Sequence, residues 1–243
     1  MSFFKHTGAF WRFRTKQFIG RHPALYNVLF RYRPGYESRL VDDGTDICIE
    51  GFPRSANSFA VGAFEFSQSQ SHSIAHHNHV PAPVCAAVQR GIPAVVLIRE
   101  PVASVISLRG LQLQIGAAEG KEMPMHVSYT DRLWAWRSFY ETVWPLREQV
   151  VVAPFAAVTE DFGRVIAAVN DQFGTHFDEF EHTEAHVSAV HERRGGHALP
   201  SEQRDALKKR ARKRFEREVG TKHIRVRKAR ELYDRFSGYA TVC

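Results

Sequence analysis

The sequence predicts an α/β fold: a three-layer sandwich with a central, mainly parallel sheet, helices on both faces and amphipathic helices at the C-terminus. Three observations predict it. Short apolar runs at 45–51, 93–98 and 149–153 are too brief for helices, and they read as strands buried on both faces. Helical periodicity follows each run, and strands that alternate with helices pair in parallel. The 243 residues are 44% hydrophobic, enough to bury one sizeable core.

Taken in order, residues 1–44 form a basic and aromatic extension with no assigned element. The run 45–51 ends at Gly51, and a helix over 56–67 places Phe59, Ala63 and Phe66 at helical spacing. A weaker strand at 71–76 and a short helix at 83–90, stopped by Gly91, precede the strand at 93–98. Pro101 suits the first turn of a helix over 101–111. Residues 112–125 lack clear periodicity and read as a mobile loop. Thr130 is expected to cap a helix reaching about residue 147, whose Trp134, Trp136, Tyr140 and Trp144 read as core. After the strand at 149–153, a helix over 159–173 ends at Gly174. The core thus spans 45–175 of a single domain, 1–243.

A basic helical tail occupies 190–243. Pro200 and Ser201 open one helix with Leu207, Ala211, Phe215 and Val219 on a stripe. Thr221 is expected to cap a second, with Val226, Ala229, Tyr233 and Phe236. Net charge is +7, but residues 191–243 hold 16 Lys and Arg against 7 Asp and Glu. That excess suits an anionic ligand, nucleic acid, an acidic membrane or a solvated helical face.

In parallel sheets ligands bind at the carboxyl ends of the strands, and three motifs fall there: 51–59, 76–81 and 99–107. The first, Gly51 to Phe59, reads GFPRSANSF. A strand, tight loop and helix N-terminus gather backbone N–H groups around an anion. A Walker A loop would read GxxxxGK[ST]; aligned on Gly51, Ala56 and Asn57 replace its second Gly and its Lys. The cation comes earlier, at Arg54. In the third motif Arg99 follows a strand, and Ser107 lies eight residues on. An Arg and a hydroxyl can clamp a second phosphate; a salt-bridged Arg and a capped helix are the plainer reading.

GFPRSANSF resembles the 5′-phosphosulfate loop of sulfotransferases that use 3′-phosphoadenosine 5′-phosphosulfate (PAPS). The resemblance implies a P-loop-like nucleotide-binding core over 45–175, with Pro53, Arg54, Ser55, Ala56, Asn57, Ser58 and Phe59 at the phosphosulfate. Ala56 departs from the family's usual Gly. The family's 3′-phosphate motif, Arg-x-Pro with Ser eight residues after the Arg, matches Arg99, Pro101 and Ser107, with Glu100 replacing Asp or Asn. Arg193, Arg194 and Gly195 resemble a further 3′-phosphate loop, without the Trp and Lys that often follow; a solvent-exposed turn is the alternative. Phe155 stands where the family often has Tyr, as an adenine-stacking or a core residue.

Residues 71–80 hold His72, His76, His77 and His79. Paired imidazoles suit zinc, but no third ligand completes a spaced set. Surface or core histidines are the plainer reading, and catalysis is the other. The family's second strand often ends Lys-x-His-(Leu/Val)-Pro, which His77, His79, Val80 and Pro81 resemble. The resemblance makes His79 the general base, puts His77 in the Lys position, and implies PAPS as co-substrate with no metal.

The acceptor implied is a small molecule or carbohydrate, glycolipids included. A nucleotide phosphotransferase is an alternative, though it would need a Walker Lys and a Mg²⁺-holding Asp. A nucleic-acid-binding role for the tail is another; no recognised signature supports it, and no nucleic acid partner is expected. No run of 18 apolar residues occurs, and the three cysteines form no framework, which points to the cytoplasm. A peripheral contact of the N-terminus with the inner face of a membrane is compatible with the enzyme reading.

Overall fold

The structure, a computed structural model, describes residues 2–36, 38–120, 126–193 and 202–242. Four strands, β1 (Ile47–Gly51), β2 (Ile74–His76), β3 (Ala94–Ile98) and β4 (Val151–Pro154), form an all-parallel sheet in the order β2-β1-β3-β4. Burial on both faces explains their mainly apolar sequences: alternate residues point to opposite sides. Cys48, Ala75, Val96, Ile98 and Val152 enter one core. Ile47, Ile49, Val95, Leu97 and Val151 enter the other.

Helices α3 (Asn57–Ser67) and α8 (Phe162–Phe173) cover the second face. The first face is covered by α4 (Ala82–Gln89), α5 (Pro101–Ala118), α6 (Tyr129–Val143), α10 (Glu202–Glu218) and α11 (Ile224–Tyr239). The connecting helices are α7 (Phe155–Glu160) and α9 (Glu184–Arg193). The extension forms two helices, α1 (Ser2–Ile19) and α2 (Pro23–Phe30), and α2 folds against α4, burying Tyr26 and Phe30 with Val80 and Ala82.

Several boundaries differ from the sequence reading. Helix α5 continues to Ala118, so 112–118 is helical rather than loop. Its partner is α10, which approaches closely at Gly110, where a Cβ would lie 3.1 Å from Lys208 Cγ. Ser128, not Thr130, caps α6, its hydroxyl accepting from Asp131 N at 3.1 Å. The helix ends at Val143, before Pro145, and a 3-10 turn (Trp144–Gln149) carries the chain onward. Trp136 and Tyr140 are core as expected, whereas Trp134 and Trp144 are partly buried beneath Arg14 and Arg235. The helix expected over 159–173 is two: Asp161, at φ −155°, breaks it and caps α8 through Arg164 N. His223 rather than Thr221 caps α11, accepting from Arg225 N at 3.1 Å. Pro200 and Ser201 lie outside the described residues. Among the described residues no helix is long and apolar enough to cross a membrane.

Candidate active site

The chain leaves β1 at Gly51, where a Cβ would collide with the Leu97 carbonyl of β3. Beyond it, Phe52 N donates to Tyr140 Oη at 3.2 Å, and the phenol donates onward to Leu97 O at 2.7 Å. The loop then turns through two left-handed residues, Arg54 (φ 73°) and Ala56 (φ 71°). Ala56 therefore holds the conformation in which glycine is least strained. Asn57 Nδ2 closes the loop on Phe52 O at 3.1 Å. No side chain caps α3, so its first-turn amides remain available to an anion.

A second anchor follows β3. Arg99 donates to the Arg54 carbonyl at 2.9 Å, and its guanidinium lies 3.9 Å from the Phe155 ring centroid. Burial lowers the Arg99 pKa, and the Arg54 charge lowers it further. Two guanidinium-bearing side chains lining one cavity favour an anion there. Arg54 Nε also donates to Ser107 Oγ at 3.1 Å, which leaves the hydroxyl proton to point elsewhere. Glu100 is occupied structurally. It caps α5 through Ala103 N at 2.6 Å and pairs with Arg230 at 2.9 Å.

The third component is the histidine loop. His77 and His79 both have φ 57°, a left-handed conformation that costs about 1–2 kcal/mol each. Glu50, fully buried in β1, holds them there. Its carboxyl accepts from Asn78 N at 2.5 Å, His79 N at 3.2 Å and Gly51 N at 3.3 Å. Burial outweighs these bonds and raises the Glu50 pKa to about 7. Asn78 fastens the loop from the other side, accepting from Tyr26 Oη at 3.2 Å and donating to Arg39 O at 2.7 Å.

His79 Nδ1 lies 2.9 Å from the Gly51 carbonyl. A carbonyl only accepts, so Nδ1 carries the proton and Nε2 keeps its lone pair. Burial lowers the His79 pKa to about 3, which keeps the ring neutral. His77 Nε2 lies 3.1 Å from Ser58 Oγ, and its Nδ1 lies 2.6 Å from His76 Nδ1.

These pieces enclose a cavity of about 500 Å³, within the size range of small-molecule sites. Eleven of the sequence-selected residues line it: Pro53, Arg54, Ala56, Asn57, Ser58 and Phe59 from the first loop, with His77, His79, Arg99, Ser107 and Phe155. Ser55 is buried beneath the loop rather than in the lining, and most of Phe59 packs on Phe162 and Phe180. Arg193 lies over the Phe66 ring at 4.8 Å and does not line the cavity; Arg194 and Gly195 lie outside the described residues.

Sequence reasoning missed Glu50, Lys208 and His191. Lys208 and His191 close the cavity from α10 and α9. An acidic residue inside an apolar strand was a readable signal for Glu50. Lys208 had only its position beside the apolar stripe of α10, and His191 carried none. Among the described residues no group of three His, Cys, Asp or Glu is placed to hold a metal ion. No protein-family model matches the chain, and no curated protein matches it.

Proposed function

We propose that the protein is a sulfotransferase, moving the sulfonyl group of PAPS to a hydroxyl or amine of a small-molecule or carbohydrate acceptor, glycolipids included. One observation carries the reading: a phosphate-type loop, an Arg–Ser pair and a neutral histidine from three different strand ends line one cavity. The loop follows β1, an inner strand of an all-parallel sheet, and that placement supports the reading.

The chemistry follows from the geometry. His79 Nε2 takes the acceptor proton as the acceptor oxygen attacks sulfur from the side opposite the phosphate. The new O–S bond forms, the bond from sulfur to the 5′-phosphate oxygen breaks, and its electron pair leaves with adenosine 3′,5′-bisphosphate. Arg54 and the first amides of α3 stabilise the charge that grows on the departing oxygen. His77, when protonated, adds positive charge beside that same oxygen. Arg99 and the Ser107 hydroxyl hold the 3′-phosphate, and Phe155 offers a ring to the adenine. Sulfonyl transfer develops less charge than phosphoryl transfer, so turnover is expected to persist with EDTA. A cytoplasmic location fits the free thiols of Cys48 and Cys85.

A Mg²⁺-dependent phosphotransferase has less support, because the cavity lining among the described residues contains no carboxylate. Calorimetric titration separates the two. Tighter binding of adenosine 3′,5′-bisphosphate than of AMP or ATP–Mg²⁺ supports the sulfotransferase. Preference for ATP–Mg²⁺ overturns it.

A further inference from the structure

Eight large hydrophobic side chains are exposed among the described residues, and six of them belong to one small region. Trp11 and Phe18 lie seven residues apart on α1. Leu25, Val28, Leu29 and Tyr32 follow at helical spacing along α2 and the turn after it. Each is between 44% and 84% exposed. The opposite stripe of α2, Tyr26 and Phe30, is already buried in the domain. A helix that is apolar on both sides needs cover on both sides.

Charge identifies the cover. Residues 2–36 contain seven Lys and Arg and no Asp or Glu. Arg14 and Arg21 are engaged with Trp134, and Lys16 with Tyr36. Arg12 and Arg31 are exposed, next in sequence to Trp11 and Tyr32. A second copy docking through the same face would set cation against cation, with no acid to relieve the repulsion. An anionic lipid surface supplies both an apolar layer and negative headgroups.

We propose that the outward face of α1 and α2 docks on an anionic bilayer surface. Leu25, Val28 and Leu29 enter the headgroup–acyl boundary, and Arg12 and Arg31 meet lipid phosphates. The face is held firmly to the domain: Ala82 N donates to Gly20 O at 2.8 Å, and Tyr26 donates to Asn78 between the two cavity histidines. The inference does not depend on the sulfotransferase reading.

The test is co-sedimentation of the full chain with vesicles of phosphatidylcholine, alone or mixed with phosphatidylserine. Wild type is expected to partition onto the mixed vesicles and to fall off as salt is raised. Val28→Asp/Leu29→Asp should weaken partition about tenfold or more, and Arg12→Glu/Arg31→Glu should abolish the preference for phosphatidylserine. Thermal melting checks that each variant is folded; the four positions are exposed. Absence of wild-type partition, or equal partition of the Asp variant, overturns the proposal. So does a dimer in sedimentation velocity that Val28→Asp/Leu29→Asp disperses, which would assign the face to a second copy.

Discussion

Replacing Glu50 by Gln tests the support of the histidine loop through its pH dependence. In the unfolded chain this carboxyl ionises near 4.5, whereas burial in β1 raises it to about 7. Between those values the folded state holds the extra proton, so stability is greatest at low pH and falls as pH rises through 7. At 1.36 kcal/mol per pH unit of difference, the wild type should lose about 2.5 kcal/mol between about pH 5 and pH 8 from this group. Gln does not titrate. It also turns one of two acceptor oxygens into a donor facing the amides of Gly51, Asn78 and His79, which costs about 1–3 kcal/mol at every pH. Urea denaturation of both proteins across that range should show the variant weaker at pH 5 and the gap closing by about 2.5 kcal/mol towards pH 8. Parallel stability curves would show that Glu50 does not carry the raised pKa, and the account of the loop would fail.

Three further outcomes are expected. NMR of the His79 ring should show an Nδ1–H tautomer that stays neutral down to about pH 4, since burial holds its pKa to about 3; titration near the ordinary 6.5 would refute this. Arg99→Ala should weaken binding of adenosine 3′,5′-bisphosphate about 10–100-fold in calorimetry and leave AMP nearly unaffected; equal losses for both would place Arg99 outside a 3′-phosphate site. Ala56→Gly relieves a left-handed residue by about 1–2 kcal/mol against about 0.5–1 kcal/mol of added backbone entropy, so the melting temperature should rise slightly. A clear fall would show that Ala56 is not strained.

The sheet was legible because its strands are buried on both faces, and continuous apolar runs such as Ala94–Ile98 have few other uses. The strand-end loops were legible for a related reason: Gly51, Pro53 and Pro101 punctuate the chain where an element must change. The end of α5 was not, since α5 packs against α10 from nearly a hundred residues away and its last turns carry no clear periodicity of their own. The break at Asp161 turns on one side chain capping the next helix, which competes with an equally plausible continuous periodicity. At the site, residue types in the loops were readable but their directions were not. Ser55 turns inward beneath its loop, while Arg193 turns to Phe66. The second helix of the extension was hidden because both its stripes are apolar, which leaves little contrast for periodicity to reveal.

Tyr140 ties together the two loops that carry Arg54 and Arg99. Its single phenol oxygen is bonded to the first amide beyond β1 and to a carbonyl of β3, the two strands from which the anchors spring. Adjacent strands run roughly 4.8 Å apart, and this cross-tie fixes their ends as the jaws of a calliper are fixed by its screw. On the proposed reading, a ligand would then be measured before it is recognised: one with a single phosphate would touch one jaw, and only a molecule carrying two at the right span would close on both.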